Sequence, residues 1–474
     1  MSTFSGLNTA YRGLTAARQG LEVVGQNIAN ANTDGYTRQR VTTSSVPAAG
    51  LAGMFSAGVR AGEGVSVDGI ARLGDLYLDA RVRSSAATSG YWMSRAEAMT
   101  DLETTLREPG DSGLSAQLGE FWSAWQGVAN RAGEVAPAAV LLEEAGALAS
   151  RLATGYADVD SQWSRLRAQT AQSVADLNGA AARIADLNGV IRGTVAAGGS
   201  ANELIDQRAS LAAEIAALAG GTVRHRDDGM IDVTIGGNAI VSGDSARAVR
   251  TTGAARLDQA AGSPVTLEWA DSPGREIALD GGRIAGTLSV LGAADAGGTG
   301  GALAELAASY DAVALSLATA VNTVHRSGVT TSGAAGGDFF AIAAGKSAAQ
   351  GLIVIPTGAA QIASGTPGAG GFDGSIADAI SQLRLAPGSA DAIWAGVVVG
   401  TGVTTKSAAQ QAVVAHFAAS SAAGAQLSGA SVDLDEENVS LMTFQTAYQG
   451  AARVMTAIDQ MLDTLINRTG IVGR

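Results

Sequence analysis

The residues able to do acid–base or metal chemistry in this chain are few and scattered. There are three histidines, His225, His325 and His416, and none stands at ligand spacing to another or within an HExxH pattern. His225 sits in 225-HRDDG-229 and reads as a solvated face residue. There Asp227-Asp228-Gly229 reads as a hairpin turn before a hydrolytic carboxylate pair, since Asp-Gly tolerates the backbone angles of a tight turn. His325 ends a helical stretch, where a partly positive imidazole suits the helix dipole. With no cysteine, thiolate catalysis, disulfides and Cys-based metal sites are excluded. The nearest approach to a dinucleotide loop, 62-GEGVSV-67, has Val67 where the third glycine should stand, and neither a G-x-S-x-G elbow nor a Walker loop occurs. Asp433, Asp435, Glu436 and Glu437 lack the spaced-ligand loop of a cation site, so they read as N-terminal capping of a helix. No catalytic residue, cofactor or metal is expected, and the chain does not read as an enzyme.

Composition narrows the classes further. A net charge of −13 without a dense Lys/Arg run argues against nucleic acid or an anionic membrane surface as partner. Aromatics are only 4% while glycines number 63 of 474, which suits closely packed extended helices better than a deep aromatic pocket. No run approaches the roughly 18 apolar residues that would span a bilayer. The start, MSTFSGLNTAYRGL, lacks a basic n-region and a continuous apolar h-region, so no cleavable secretory signal is expected.

The elements that must do the positioning lie at the ends. Phe4, Leu7, Tyr11, Leu14, Leu21 and Ile28 fall on one helical stripe. Leu441, Phe444, Tyr448, Ala451, Met455, Ile458, Leu462 and Leu465 follow strict 3,4 spacing, an unbroken heptad seam over roughly 38 Å of helix. Residues from about Tyr91 to Ala219 are mostly helical, with an ADLNG pentad at 175–179 and again at 185–189, and Ser200-Ala-Asn-Glu203 reads as a capping box. After Gly220-Gly221 the period changes to two, and 222–237, 239–243, 265–269 and 283–292 read as strands. Residues 303–326 return to helix, 327–392 carry weak periodicity, and helix resumes around Ala408.

The fold class expected is mainly α with an inserted β domain, a multi-domain α+β chain. Its parts are a terminal helical coiled-coil domain (1–40 plus 432–474), a mostly helical domain (41–220 plus 301–330 and 393–431), a β-rich outer domain (221–300) and a Gly/Ala-rich outer insert (331–392). The two terminal helices pair as a coiled-coil-like bundle. Their seams cannot stay in water, since each large side chain is worth ~1.5–3 kcal/mol on burial. They dock on interior helices of the same subunit or on neighbouring copies. A two-helix pair leaves Val439, Val454, Met461 and Ile466 partly exposed, which favours neighbours.

Between the first helix and the rest lies 26-QNIANANTDGYTRQRV-41. Asn27, Asn30 and Asn32 offer amides where a helix must stop, and Asp34-Gly35 turns the chain. This stretch resembles the N-terminal signature of the bacterial flagellar rod, hook and hook-associated axial proteins, Asn-Ile-Ala-Asn-x-x-T-x-G-[YF]. The stretch 431–466, with DL-x-EE, Q-x-x-Y and terminal heptads, is similar to that family's other end. Tyr36, Arg38 and Gln39 match the GY-x-RQ form of its hook-associated members, and 202-NELIDQR-208 is similar to their N-x-L-x-DQR helix. The segment 251–430 departs from any detailed match, although 320-AVNTVHRSG-328 is similar to the family's N-x-x-H-x-x-G.

The resemblance implies a structural flagellar protein joining hook to filament, assembled with copies of itself as a ring or tubular layer. It implies hook protein, hook-associated protein 3 and an export chaperone at the C-terminal helix as partners. It also implies secretion to the extracellular flagellum by type III export, and termini that order on assembly. Another axial protein, hook or distal rod, and a secreted wall hydrolase with axial-type ends are the alternatives.

Overall fold

The computed structural model describes residues 3–47, 62–295 and 297–468. The outermost residues of the expected terminal domain, and 48–61 of the expected helical one, lie outside this description. The chain opens with α1 (Thr3–Ala29) and an antiparallel ribbon of β1 (Gln39–Ser45) and β2 (Val65–Arg72). Four helices follow, α2 (Leu76–Leu106), α3 (Leu114–Asn130), α4 (Val135–Ala196) and α5 (Asn202–Ala219). Next come β3 (Thr222–His225), β4 (Ile231–Ile235), β5 (Asn238–Ser242), β6 (Ser245–Ala246), β7 (Val249–Thr252), β8 (Thr266–Trp269) and β9 (Ser272–Glu276). They form two antiparallel meanders, β3-β4-β5-β6 and β7-β8-β9. Helices α6 (Gly282–Leu291) and α7 (Ala302–His325) precede a lobe of short pieces. These are β10 (Val329–Thr330), β11 (Phe340–Ile342), α8 (Ala348–Gly351), β12 (Leu352–Val354), β13 (Ala363–Gly365) and α9 (Ser375–Ser381). The long helices α10 (Ala390–Ala430) and α11 (Leu434–Asp463) close a fold that is mainly α with β structure inserted.

The 62-residue α4 runs for roughly 93 Å at 1.5 Å per residue and serves two cores. Its first half, through Leu141, Leu148, Leu152 and Trp163, packs with α3, α7 and the start of α10. Its second half, through Val174, Leu177, Ala181 and Ile184, packs with α5 and the two meanders. The repeated pentads explain the second attachment. Asn178 donates to Val249 O (2.8 Å) and accepts from Val249 N, pinning β7. Asn188, at the same pentad position, donates to Ile231 O and Gly243 O and accepts from Ile231 N, pinning the β4 and β5 ends. A buried amide that satisfies strand backbone in this way fixes sheet against helix.

The structure departs from the sequence reading in several elements. The stretch 283–292 is helix α6, not a strand: besides Gly282 and Gly286, its buried side chains are Ile284, Thr287, Val290 and Leu291, a helical spacing beneath an apparent alternation. Residues 331–392 are not a separate outer insert: Phe339, Phe340, Leu352, Ile362 and Ile380 join the main core with α3, α4 and α7. Their contacts are distant in sequence and leave no local period. Helix α10 begins at Ala390, well before Ala408, capped by Ser389 Oγ accepting from Ala392 N (3.2 Å). Helix α5 is flanked by Ala201 and has no side-chain cap, so the Ser200–Glu203 box does not form. Asp227-Asp228-Gly229 does turn the β3–β4 hairpin, with Gly229 at φ +81° and Met230 N donating to Asp228 Oδ1.

His325 also differs. It is buried, its Nδ1 lies 2.8 Å from Gly337 O, and its Nε2 accepts from Ala363 N at 2.9 Å. That pair of partners requires the neutral ring, and burial holds its pKa below the ordinary value despite the Gly337 bond. The dipole-stabilised imidazolium expected from sequence is therefore not what the fold uses. Because the unfolded ring takes a proton near pH 6.5 and the folded one only at lower pH, stability should fall as pH drops through 6.5. Denaturant melts at pH 7.5 and 5.5 should show this loss, and His325→Gln, which can donate and accept without titrating, should reduce it.

Candidate assembly interface and its joint

Helices α1 and α11 pack antiparallel along their length. The side of α1 that meets α11 is made of small residues. Gly6, Ala10, Gly13, Ala17, Gly20, Val24 and Asn27 recur at steps of four and three, and all but Gly6 and Gly13 are buried. A Cβ on Gly6 would sit 3.3 Å from Ile458, one on Gly13 3.9 Å from Ala451, and one on Gly20 2.5 Å from the Phe444 ring. One heptad further on, Asn27 Nδ2 donates to Glu437 Oε2 at 3.1 Å. The contacts step by seven residues in opposite directions, so the pair keeps one register from end to end.

The α11 seam expected from sequence lies along this contact for most of its length. Ile458 is buried, and Leu441, Phe444, Ala451, Met455 and Leu462 are half-buried, while Tyr448 and Leu465 are exposed at 37% and 54%. The α1 stripe expected from sequence is a different face. Phe4 and Tyr11 are 69% and 59% exposed, and Leu7, Leu14, Leu21 and Ile28 are half-buried beside the small-residue ridge. A search for large apolar residues selects that face. Close helix contact selects glycine and alanine.

At Asn27 the helix pair meets the body. The Asn27 amide donates to Gln39 O (2.9 Å), and its oxygen accepts from Gln39 N (3.0 Å) and the Tyr36 hydroxyl (2.9 Å). Arg38 reaches Glu437 at 2.7 Å and Glu436 at 2.5 Å, and its backbone N–H donates to Ala430 O, the end of α10. Burial pulls the Arg38 guanidinium down, but its bonds to Glu436 and Glu437 outweigh this and hold its pKa above the ordinary value. Asp433 caps α11 by accepting from Asp435 N and Glu436 N. The acidic group therefore divides, one residue capping and two pairing with Arg38.

The same stretch grips α5 on its other side. Gln39 Nε2 donates to Glu203 (3.0 Å), its Oε1 accepts from Asn202, and Thr37 N donates to Asp206 (2.9 Å). Asp206 also takes Arg72 at 2.5 Å, tying in β2. Burial, with the charges of Glu203, Asp206 and Glu437, pushes the Tyr36 hydroxyl up to about 12, so it stays a donor to Asn27. Gly35 makes the turn at φ +78°, where a Cβ would meet Ser210 at 2.8 Å. Asn30 caps locally through Gln26 O and Thr33, and Asn32 is exposed and takes no part in the network. Glu437, Glu203, Asn202, Asp206 and Arg72 were not singled out as joint residues from sequence; the Asp-Glu-Glu and DQR runs were the available signal.

The joint can hold two rigid bodies in one orientation. Among the described residues no cluster of three metal-binding side chains occurs. Arg38→Ala should cost about 1.5–3 kcal/mol in unfolding, because it leaves the buried Glu437 with Asn27 as its remaining partner, whereas Arg18→Ala, in an exposed pair with Glu22, should cost under ~0.5 kcal/mol. Gly20→Ala should loosen α1, read as faster amide exchange. Gly25→Ala, with open space around it, should slow that exchange.

Comparison with known proteins follows this division. A family model described as the flagellar hook-associated protein FlgK helical domain matches residues 99–340, about half of the chain. The ends match a flagella basal body rod protein model over residues 7–37 and a flagellar basal body rod FlgEFG protein C-terminal model over residues 424–468. Flagellar hook-associated protein 1 of Bacillus subtilis is 29% identical over 513 residues, covering 100% of both chains. The protein of that name from Escherichia coli is 31% identical over 71% of this chain and 60% of its own length. The flagellar hook junction protein FlgK from Burkholderia pseudomallei superposes with a TM-score of 0.61 at 15% identity, covering 73% of this chain and 99% of that one, a likeness of fold alone. The chain belongs to the flagellar hook-associated protein 1 family and is a structural component of the bacterial flagellum.

Proposed function

We propose that the chain forms the layer between hook and filament, each copy burying the outward faces of its terminal helix pair on neighbouring copies. The observation that carries this is the apolar surface the pair leaves open. Phe4 and Tyr11 on α1, and Val439, Met442, Val454, Met461 and Ile466 on and just beyond α11, are all at least half exposed. At about 25 cal/mol per Å² a helix pair with this many exposed large side chains gains several kcal/mol by acquiring neighbours. The α1 stripe Phe4, Leu7, Tyr11, Leu14, Leu21 and Ile28 faces a neighbouring copy in this reading. The α11 seam from Leu441 to Leu465 holds the pair together, with Tyr448 and Leu465 contributing to its outside.

Helix α10 offers a second surface of the same kind. From Ala392 to Ala430 its one formally charged residue is Lys406, and Val399, Val403, Val413, Val414 and Phe417 are exposed. The long uncharged face suits lateral packing of like subunits. Hook protein on one side and hook-associated protein 3 on the other are the end contacts of such a layer. An export chaperone covering the exposed face of α11 before assembly, and export to the flagellum outside the cell, belong to the same reading. In this reading the chain divides into a terminal helix pair (1–40 with 432–474), a helical body (41–220 with 301–330 and 393–431) and a β-rich unit (221–300), with 331–392 sharing the main core of the body.

The test separates assembly from folding. Met461→Glu and Val454→Glu change side chains that are 51% and 50% exposed, so each should alter unfolding by no more than about 0.5 kcal/mol. Each should nonetheless abolish swimming, with hooks made and filaments shed. Normal motility in cells carrying both changes would contradict assembly through this face.

A further inference from the structure

The helix pair meets the rest of the chain at a second place, well away from the joint. The ribbon β1–β2 packs along α1. Its base is fixed to the body: Asn202 Nδ2 donates to Ile70 O (3.0 Å), and Leu73 N donates to Arg38 O (2.9 Å). Arg72, the last residue of β2, pairs with Asp206 and Asp79. The far end of the ribbon rests on α1. A Cβ on Gly64, whose φ is +97°, would stand 3.2 Å from Thr9 Cγ2 and 3.4 Å from Thr9 Cα. Arg12 Nη1 donates to Glu63 O at 3.4 Å, and Arg12 Nη2 lies 3.9 Å from the Glu63 carboxylate. Beneath this contact Val46 N donates to Gly64 O and Glu63 N donates to Val46 O, both at 2.9 Å, so the ribbon is closed where it touches the helix.

The two routes have matching lengths. From Arg12 to Asn27 the helix rises about 22 Å at 1.5 Å per residue. From Gln39 to Val46 the ribbon extends about 23 Å at ~3.3 Å per residue. Helix and ribbon therefore run side by side between the same two ends and are tied at both. A helix held at one end can pivot there. Held also at a point several turns away, it cannot tilt without tearing the second contact.

We propose that the β1–β2 ribbon is a strut that sets the angle between the terminal helix pair and the body, bearing on α1 through Gly64, Thr9 and Arg12. The joint fixes where the pair begins, and the strut fixes where it points. Gly64 is the main positioning residue, because its backbone favours glycine and a Cβ there would press on the Thr9 backbone. The Arg12–Glu63 pair is half-exposed and long, so it adds little to stability and acts on direction. Removing the bearing should therefore free the angle while leaving the body's melting and the α1–α11 pairing as they are.

The test is a spin-label distance measured across the joint by pulsed EPR in the full chain. The chain has no cysteine, so Ala182→Cys on α4 and Gln449→Cys on α11, both exposed, carry the labels. The labelled parent should give one narrow distance distribution. Gly64→Val should at least double its width, and Arg12→Ala should widen it by less. Gly69→Ala, on the same ribbon with its Cβ 3.9 Å from Thr42 Oγ1, should leave it unchanged. Amide exchange along α11 should stay slow in every variant. Equal widths in the parent, Gly64→Val and Arg12→Ala overturn the proposal. Broadening that comes with fast exchange in α11 overturns it as well, because the pair itself has then come apart. Arg12→Ala leaves the ribbon backbone intact, so it decides the matter if Gly64→Val fails to fold.

Discussion

Phe444 lies where a side chain of Gly20 would be, and the rest of the terminal architecture depends on that substitution of ring for Cβ. Because α1 presents glycine and alanine, its axis can approach α11 closely enough for the large seam residues to lie across it. The approach fixes register as well as distance, since only a heptad step brings Ile458 to Gly6, Ala451 to Gly13 and Phe444 to Gly20 together. The next step carries Glu437 to Asn27, which is how the apolar seam ends in a polar joint. One packing constraint therefore places the acid that the joint is built around.

The joint then converts that placement into orientation. Asn27 uses both ends of its amide on the 36–39 stretch and on Glu437, while Arg38 joins Glu436 and Glu437 to the end of α10. Asp206 and Glu203 tie the other side of the stretch to α5. A buried charge-assisted network is favourable only when complete, because stranding one member leaves a desolvated charge. The helix pair is therefore held to the body by specific geometry more than by buried area. That suits the proposed layer, in which the terminal helices meet neighbours at a defined angle.

Much of this was legible in the sequence, and the failures have physical causes. The α11 heptad could be read because its residues are large and its period unbroken. The α1 contact face could not, because hydrophobic patterning weighs side-chain size and this face works by lacking it. The signature around Asn27 was readable as a helix stop and turn. Its partners were not, since Glu437 lies 410 residues from Asn27 and Asp206 169 from Thr37, and no local pattern links them. The lobe after His325 shows the same limit, with Phe339, Leu352 and Ile380 each finding the core through contacts distant in sequence. Helix α6 was misread because Gly286 and small neighbours dilute a helical period to the point where alternation fits as well. The tight approach of Gly286 to Tyr91 O shows what that glycine is for.

The central claim is that α1 and α11 of one chain pair in a single register through the glycine–alanine ridge. The absence of cysteine makes it directly measurable. Gly13→Cys with Ala451→Cys places two thiols at positions whose Cβ atoms lie 3.9 Å apart, close to the ~3.8 Å of a disulfide. Oxidation should give a cross-linked single chain on a denaturing gel, and Gly13→Cys with Met455→Cys, one helical turn off, should give far less. Cross-linking only between chains, or equal yields from both pairs, would contradict the account.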